Sequence, residues 1–381
     1  MIDLDPCAEK RAKICFIMNA PWQPIYSIER SGIAEVTIFG AISVVTGDGK
    51  IEGKTEALLT HGDPDFTLWT RSVLKPWQLL SHLNCLKSAY PQLKPEHIAL
   101  MMSSHNAEVL HLGLLSEIMS LGDVNESMLQ CPASYPLYAE LRRQMVAEGL
   151  SPRPLLHNCS GKHFGYLMAI KAQQGDPSQY LKPEAERFQK LQGMLCQLLQ
   201  RTDSHLPVTT DGCQLPNYAV SINEMARLYH GLANPQLQRV NGELAEEALA
   251  NYGELSRLMS TYPRVIGGTG RIDTELMSDK LPLEGRPHLI VKQGADGLLS
   301  LGLGPCERYP NGLGILIKVA SGFDAKEMEL IAGELFAQLG LREHDSPHPS
   351  QPKGTRRDHI AVVHHFRVKA MSDISALKQR R

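Results

Sequence analysis

The sequence predicts an α+β fold in which helices flank one antiparallel sheet. Two observations predict it: runs rich in β-branched residues lie near both ends of the chain, and helical patterns fill the region between them. This order is typical of a sheet formed by strands from both ends around a helical insert. We expect residues 25–368 to form a single α+β domain, preceded by a weakly patterned extension over 1–24 and followed by a frayed tail over 369–381.

The predicted strands form a hairpin near the start of this domain and a meander near its end. Residues 35–45 are an extended run, and the turn signal Gly47-Asp48-Gly49-Lys50 separates it from a returning strand. Residues 288–292, 298–302 and 314–319 are three apolar runs separated by turns that contain glycine. Because short turns join antiparallel neighbours, these three runs predict a meander.

Three further apolar runs lie in the middle of the chain. Residues 75–84 are interpreted as the first turns of a buried helix, since Pro76 is tolerated near a helix start. Residues 98–102 are interpreted as a buried strand, and residues 164–170 as a helix.

Two later helices carry capping signals. Ser221 and Glu224 form a capping box, which opens a helix that Gly231 ends. Asp324 caps a helix near the C-terminus, and Gly340 ends it. Its predicted apolar face contains Met328, Ile331, Leu335, Phe336 and Leu339.

The composition is that of an ordinary soluble globular protein. Of 381 residues, 43% are hydrophobic and 21% charged; the net charge is −2, and the 39 basic residues are spread along the chain. Nucleic acid is therefore not expected as a partner. The eight cysteines show no C-x-x-C pair, and we find neither a signal-peptide pattern nor a membrane-spanning apolar run. We expect a cytoplasmic protein without a membrane partner.

Ser72-Val73-Leu74-Lys75 is the first candidate for chemistry. A serine attacks well only when a base removes its proton, and a neutral amine can be that base. At this spacing both side chains share one face near a helix start, where the local dipole and burial favour a neutral lysine. Two common residues at a fixed spacing also occur by chance, so a helix cap beside a solvated lysine is the competing interpretation.

Lys292-Gln293-Gly294 favours the catalytic interpretation. Serine acyl-enzymes of the S-x-x-K class place a K-T-G strand beside the nucleophile, downstream in the sequence. A lysine there holds a substrate carboxylate, or it lowers the pKa of the first lysine by repulsion between like charges. The competing interpretation is an ordinary surface lysine at the end of a strand.

Three polar segments are candidates for the rest of a cleft. Ser104 follows a buried run and could relay a proton or bind a substrate, unless residues 103–108 are a simple turn. Residues 157–163 precede a helix, whose first backbone N–H groups can bind a carboxylate. In the segment 208–213, Asp211 could hold the α-ammonium group of an amino acid.

Two cysteines raise the question of a metal. Cys159 and Cys213 could share one with Lys162 or a histidine, although neither C-x-x-C nor H-E-x-x-H spacing is present. Buried free cysteines are common, so thiols that only line a pocket are the alternative. The glycines at 267–270 lack the spacing of a dinucleotide-binding loop, and we expect no organic cofactor.

Together these segments resemble the rhizobial-type L-asparaginases, the asparaginase II type. The resemblance covers roughly residues 30 to 345, and its stretches occur in the same order and at similar intervals. The motifs C-S-G-K-H and T-D-G-C-x-L-P are far more specific than S-x-x-K. The matching stretches are Arg71-Ser72-x-x-Lys75-Pro76, Ser104-His105, Cys159-Ser160-Gly161-Lys162-His163, Thr210-Asp211-Gly212-Cys213-x-Leu215-Pro216 and Lys292-x-Gly294-Ala295-Asp296-Gly297.

The resemblance implies a fold similar to serine β-lactamases and glutaminases, a homodimer, and hydrolysis of L-asparagine to L-aspartate and ammonia. It implies that Ser72 is the nucleophile and Lys75 its base, with Ser104 and Lys292 completing the catalytic network. The residues implied to bind the substrate are Arg71, His163 and Asp211. Those implied to bind a zinc ion are Cys159, Lys162 and Cys213.

The chain also departs from the family pattern. Asn106 and Ala107 stand where the family usually has hydroxyl residues, and a cysteine expected near residues 267–271 is missing. These departures bear on the fine-tuning of substrate choice. Glutamine, or a β-lactam or D-amino-acid peptide, are the alternative substrates. A different class of protein, an amino-acid-binding protein without turnover, is also consistent with the pocket. Retention of the serine and both lysines argues against it, because binding alone needs no neutral amine.

Overall fold

A seven-stranded antiparallel sheet and a smaller three-stranded one organise the chain. The computed structural model describes residues 21–47, 55–202, 205–238, 246–278, 283–285, 287–322, 325–343 and 360–369. The strands within these ranges are β1 (Gln23–Arg30), β2 (Ile33–Gly47), β3 (Thr55–His61), β4 (Thr67–Trp69), β5 (Val208–Thr210), β6 (Pro216–Ser221), β7 (Leu289–Gly294), β8 (Leu298–Leu303), β9 (Leu313–Val319) and β10 (Ile360–His364).

The helices lie mainly between the two groups of strands. Within the described ranges, no helix is long and apolar enough to cross a membrane. The helices are α1 (Lys75–Leu80), α2 (Leu83–Ala89), α3 (Pro95–Met101), α4 (Val109–Gly122), α5 (Ala139–Ala147), α6 (Ser160–Ala172), α7 (Glu186–Leu198), α8 (Ile222–Ala233), α9 (Glu246–Thr261), α10 (Pro263–Ile266), α11 (Ile272–Met277) and α12 (Ala325–Gln338).

The large sheet confirms the predicted α+β class. Its strand order is β10-β1-β2-β9-β8-β7, and β3 pairs with the second half of β2. The β2–β3 pair is the predicted hairpin, although its turn lies outside the described residues. Strands β7, β8 and β9 form the predicted meander. Strand β1 begins at Gln23, before the extended run that the sequence marks as the first strand.

Each face of the large sheet packs against a different set of helices. One face buries Ile42, Val44 and Ile315 against α12, whose predicted apolar residues are all buried. The other face buries Ala41 and Val45 against the helices of the middle region. Along a strand, successive side chains point to opposite faces, so the alternation in β2 separates the two cores.

Helix α8 packs directly on the sheet because glycine allows a close approach. A Cβ atom at Gly314 of β9 would overlap the carbonyl oxygen of Ala226 in α8. The predicted capping box starts this helix: the Ser221 Oγ accepts from the Glu224 N–H at 3.1 Å, and the Glu224 carboxylate accepts from the Ser221 N–H at 2.7 Å. The helix continues past Gly231 and ends at Ala233.

The C-terminal helix α12 ends where the sequence predicts. Gly340 has a φ of 63°, a left-handed conformation that glycine adopts without strain. The Leu341 N–H donates to the Phe336 carbonyl at 2.9 Å, which satisfies a carbonyl at the end of the helix. The predicted cap, Asp324, lies outside the described residues.

The prediction of a strand at 98–102 is wrong, because these residues belong mostly to α3. A five-residue apolar run fits a buried helix as well as a buried strand, so its periodicity does not decide between them. The deciding feature lies upstream: Pro95 occupies the first turn of α3, where its missing N–H is not needed.

Two other helices differ from prediction in their bounds. The single helix expected over 75–84 is interrupted after Leu80, where the Ser81 hydroxyl donates to the Gln78 carbonyl at 2.8 Å. Such a bond competes with the helical hydrogen bonds, and His82 leaves the helical conformation with a φ of −137°. The helix predicted at 164–170 begins earlier, at Ser160.

Candidate active site

Ser72 lies just after the end of β4, in a short 3-10 helix formed by Arg71–Leu74. Arg71 has a φ of 48°, which is uncommon for a residue other than glycine and costs about 1–3 kcal/mol. Asn217 of β6 supports this conformation, since its Oδ1 accepts from the Arg71 N–H at 3.0 Å and from the Thr70 hydroxyl at 2.9 Å. The small sheet therefore fixes the backbone that carries the serine.

Lys75 is the first residue of α1 and is fully buried. Its Nζ donates to the Ser104 Oγ at 2.9 Å and also to the Ser103 carbonyl. Burial lowers the pKa of Lys75 below its ordinary value, and Cys159 opposes this shift while Lys162 adds to it. In the part of the chain that the structure describes, the partly exposed Ser72 hydroxyl makes no hydrogen bond. Lys75 is thus bonded to Ser104, and the Ser72 hydroxyl is free to meet a substrate.

The segment around Ser104 follows α3 and is an ordered loop. The Ser104 N–H donates to the Ile266 carbonyl at 2.9 Å, and the His105 N–H donates to the Asn158 carbonyl at 3.2 Å. The His105 Nε2 also shares a hydrogen bond of 2.9 Å with the Ser160 Oγ. These bonds join the loop to α10 and to the start of α6, which places Ser104 beside Lys75.

Lys292 lies in β7 and is fully buried, so the interpretation as a surface lysine is wrong. Its Nζ donates to the Asp273 Oδ2 at 2.9 Å and to the Gln293 carbonyl at 2.9 Å. Burial lowers the pKa of Lys292 to about 8, with Asp273 opposing the shift and Lys75 and Arg271 adding to it. Lys292 is therefore a buried amine whose charged partner is Asp273.

Asp273 is a site residue that the sequence did not single out. It is the second residue of α11 and has no exposed side-chain surface. An aspartate in the first turn of a helix is usually a solvated residue that favours the helix dipole. The sequence therefore carries no signal that this carboxylate is buried against Lys292.

Arg71, Asp211 and Asp296 form a linked set of ion pairs at the site. The Arg71 Nε donates to the Asp211 Oδ1 at 2.8 Å, and its Nη1 contacts the Asp296 carboxylate. Asp211 follows β5, and Asp296 lies in the turn between β7 and β8. Asp211 is nearly buried, whereas the Asp296 side chain is 53% exposed. The fold therefore joins one guanidinium and two carboxylates from three distant segments.

His163 is fully buried in α6. Its Nδ1 shares a hydrogen bond of 2.7 Å with the Tyr180 hydroxyl. Burial, and then the charge of Lys162, hold the pKa of His163 well below its ordinary value. Within the described residues its Nε2 is buried without a hydrogen-bond partner, as is the Ser300 Oγ, which lies opposite Lys292 on β8. Buried polar atoms of this kind call for a polar ligand or water.

Cys159, Lys162 and Cys213 converge as the resemblance implies. All three are buried, and the Lys162 Nζ lies 3.2 Å from the Cys213 Sγ. A hydrogen bond between the two thiols lowers the pKa of Cys159 and raises that of Cys213. Burial lowers the pKa of Lys162, but the charges of Cys213 and Cys159 raise it by more. The pKa of this ammonium therefore lies above its ordinary value.

This donor set fits zinc by its chemistry. Zinc binds thiolate sulfur and nitrogen in fourfold sites, and two thiols with one amine supply three such ligands. No group of three His, Cys, Asp or Glu side chains among the described residues is placed to hold a metal. A metal here therefore requires Lys162 as the third ligand, in its neutral form.

Two cavities elsewhere contain none of these residues. One, of about 820 Å³, lies beside β10 and α12 and is lined by Glu334 and His364 among others. The other, of about 690 Å³, lies between α1, α6 and α7 and is lined by His82 and Arg187 among others.

Comparison with known proteins assigns a class and a family. The model of the family described as L-asparaginase II matches residues 26–364. Because this match covers nearly the whole chain, the protein is an enzyme of the amidohydrolase class. It belongs to the L-asparaginase II family. None of the curated proteins matches its sequence.

Similar solved structures include a glutaminase from Bacillus subtilis and a β-lactamase from Desulfarculus baarsii. The glutaminase is 13% identical with a TM-score of 0.39, and the match covers 87% of this chain and 96% of that one. The β-lactamase is 13% identical with a TM-score of 0.35, and the match covers 89% and 100%. The likeness to both structures is remote, and the α+β fold is defined by the sheets and helices of this chain.

Proposed function

We propose that this enzyme hydrolyses the side-chain amide of L-asparagine to L-aspartate and ammonia. The main support is the buried hydrogen bond between Lys75 and Ser104 beside Ser72, in a chain of the L-asparaginase II family. Burial favours a neutral amine at Lys75. A buried amine three residues after a free serine hydroxyl is a pairing that nucleophilic catalysis by serine can use.

The reaction proceeds through an ester on Ser72. Its Oγ forms a bond to the carboxamide carbon, and the hydroxyl proton passes to the Lys75 amine. Lys75 returns this proton to the amide nitrogen, the C–N bond breaks, and ammonia leaves a β-aspartyl ester. Water then attacks the ester carbon and gives a proton to Lys75, which passes it to the Ser72 oxygen as L-aspartate leaves. The Ser104 hydroxyl keeps Lys75 in place throughout.

The ion pairs around Arg71 suit the α-groups of an amino acid. Arg71 binds the α-carboxylate, since a guanidinium forms two parallel hydrogen bonds with a carboxylate. Asp211 accepts from the α-ammonium group. Asp296 is half exposed in the structure, so a substrate carboxylate can replace it at Arg71 with little cost.

Ammonia release tests the proposed activity. We expect L-asparagine to be the better substrate, with a kcat/KM about 10- to 200-fold above that of L-glutamine, because one methylene is worth about 1–3 kcal/mol in a pocket. The measurement is coupled ammonia detection with both amides, a β-lactam and a D-amino-acid peptide as comparison substrates. Release from neither amide contradicts the proposal. Calorimetric binding of L-asparagine without release would favour the amino-acid-binding protein instead.

We also propose that Cys159, Lys162 and Cys213 bind zinc. The support is their burial and convergence, with the Lys162 Nζ and the Cys213 Sγ already 3.2 Å apart. When bound, zinc would supply a positive charge that holds negatively charged oxygen atoms. The homodimer and the cytoplasmic location implied by the sequence stay predictions.

Metal analysis tests this site. Protein purified without chelators is expected to contain close to one zinc per chain, and Cys213→Ser is expected to remove most of it, because a thiolate ligand is lost. Cys196→Ser is the matched control, since Cys196 is a buried thiol of α7. It is expected to keep the metal. A fully active native enzyme without zinc would show that the two thiols only line the pocket.

A further inference from the structure

Asp273 and Lys292 form an ion pair that is closed to solvent on both sides. Their Oδ2 and Nζ atoms are 2.9 Å apart, and neither side chain has exposed surface. Every other ion pair that the structure gives among the described residues leaves part of at least one side chain exposed. Removing two charges from water is costly, and apolar residues of similar size are often as stable. A buried pair at an active site therefore points to a function.

The Asp273 carboxylate is fixed by the backbone around it. Its Oδ1 accepts from the Thr274 N–H at 3.3 Å, and its Oδ2 accepts from the Gln293 N–H at 3.4 Å. Thr274 is fixed in turn, since its hydroxyl donates to the Pro263 carbonyl at 2.9 Å. The carboxylate thus joins α11 to β7 and gives Lys292 a rigid partner.

The Lys292 ammonium keeps one donor for the reaction. An ammonium has three N–H donors, and two of them are used on Asp273 and on the Gln293 carbonyl. Fixing two donors also fixes the direction of the third. Ser300, opposite Lys292 on β8, has a buried hydroxyl without a partner in the described part of the chain, so polar groups remain to be satisfied on this side.

Asp273 is the anion that keeps Lys292 charged. The other charged groups that face the pair are Lys75 from α1 and Arg271 from the loop before α11, and both lower the pKa of Lys292 after burial has lowered it most. The Tyr229 hydroxyl faces Asp273 from α8, and burial, then the aspartate charge, raise its pKa, so it is neutral. Without Asp273, burial and the Arg271 charge would act unopposed on Lys292, and Lys75 would add to them whenever it carries a proton.

We propose that Asp273 is a positioning residue that holds Lys292 as an oriented ammonium at neutral pH, with its third N–H directed at the reacting groups. The inference rests on the proposed amidohydrolase reaction at Ser72. It adds the buried Asp273–Lys292 pair to the catalytic residues. Asp273 lies just after residues 267–271, near which the chain lacks a cysteine of the family pattern. The role is to orient and charge Lys292, and Asp273 itself touches no substrate.

The pH profile of Asp273→Asn tests the proposal. In the wild type, kcat/KM should decline as Lys292 loses its proton near pH 8. In Asp273→Asn this decline should move down by about one pH unit or more, so that activity at pH 7 falls about 2-fold or more while activity near pH 6 falls less. Asp273→Glu keeps the charge and should restore part of the profile. A uniform loss at every pH, or no loss, would overturn the proposal.

Glu224→Gln is the matched control. Glu224 is ion-paired with Arg201 at 2.7 Å, away from the site, and glutamine keeps the capping box. This variant loses a carboxylate without touching Lys292, so its pH profile should coincide with that of the wild type. A shifted profile in Glu224→Gln would show that any lost ion pair moves the profile, which also counts against the proposal.

Thermal unfolding gives a second test that needs no activity. Lys292 loses its proton on folding at any pH between its folded and unfolded pKa values, and stability rises with pH across that range. The range begins near pH 8 in the wild type and lower in Asp273→Asn. The deficit in Tm of Asp273→Asn should therefore shrink between pH 6 and 8, and a constant deficit contradicts the proposal. If the wild type is inactive but the Tm deficit of Asp273→Asn still shrinks with pH, the proposed function is contradicted. The proposed role of Asp273 toward Lys292 then still holds.

Discussion

Ser72→Ala is expected to lose about 10⁴-fold or more in kcat while still binding L-asparagine. The hydroxyl oxygen forms the ester bond in the proposed reaction, and alanine has no atom that could form it. Lys75→Ala is expected to show a similar loss, because nucleophile and base act as one unit. The double variant should then be little worse than either single one. The measurement is steady-state ammonia release, with calorimetry to show that binding remains.

Mass spectrometry and a control variant complete this experiment. A quenched wild-type reaction should contain a peptide with Ser72 carrying the β-aspartyl group. Ser81→Ala removes a serine hydroxyl at the end of α1, which bonds the Gln78 carbonyl and the His82 Nδ1, and should leave turnover unchanged. Substantial activity in Ser72→Ala contradicts the mechanism, and would point to Ser104 or to a metal-bound water as the nucleophile.

Lys292→Met is expected to destabilise the fold by about 3–5 kcal/mol, because it leaves the Asp273 charge buried without a partner. This cost is separate from any change in activity, and urea unfolding at pH 7 measures it. The double variant Lys292→Met with Asp273→Asn should recover most of the loss, since no unpaired charge remains. The non-additivity of the two changes is the direct measure of the pair.

Lys87→Met is a matched control for this measurement. Lys87 pairs with Glu254 at 2.6 Å, but the lysine side chain is 43% exposed, so water replaces the lost partner. The expected cost is below about 1 kcal/mol. A similarly small cost for Lys292→Met would show that water reaches Asp273. That result would contradict the description of Asp273 and Lys292 as a buried pair.

The sequence predicted those elements of the fold whose signals are local. The β7–β8–β9 meander, the hairpin of β2 and β3, and the capping box of α8 each follow from a few consecutive residues. Turn residues and caps act within one or two turns of chain, so their effect is readable without the rest of the molecule. The apolar face of α12 was predicted in the same way, from periodicity.

The errors arose where local patterns are ambiguous. Residues 98–102 form part of a helix, since a short apolar run fits a buried helix as well as a strand. The break after Leu80 depends on a serine hydroxyl that bonds a backbone carbonyl and on the packing of His82 against Tyr166, with ring centroids 4.5 Å apart. The contact between His82 and Tyr166 joins distant segments of the chain, so a short window of sequence does not reveal it.

For the site, the sequence by itself determined the chemistry-bearing residue types and their order: Ser72, Lys75, Ser104, Asp211 and Lys292 were named from motifs alone. Only the tertiary structure decided their environments. Burial of Lys75 and Lys292 sets their pKa values, and burial depends on packing by residues far away in sequence. The partner of Lys292 was also decided there, because Asp273 reaches it only through the packing of α11 against β7.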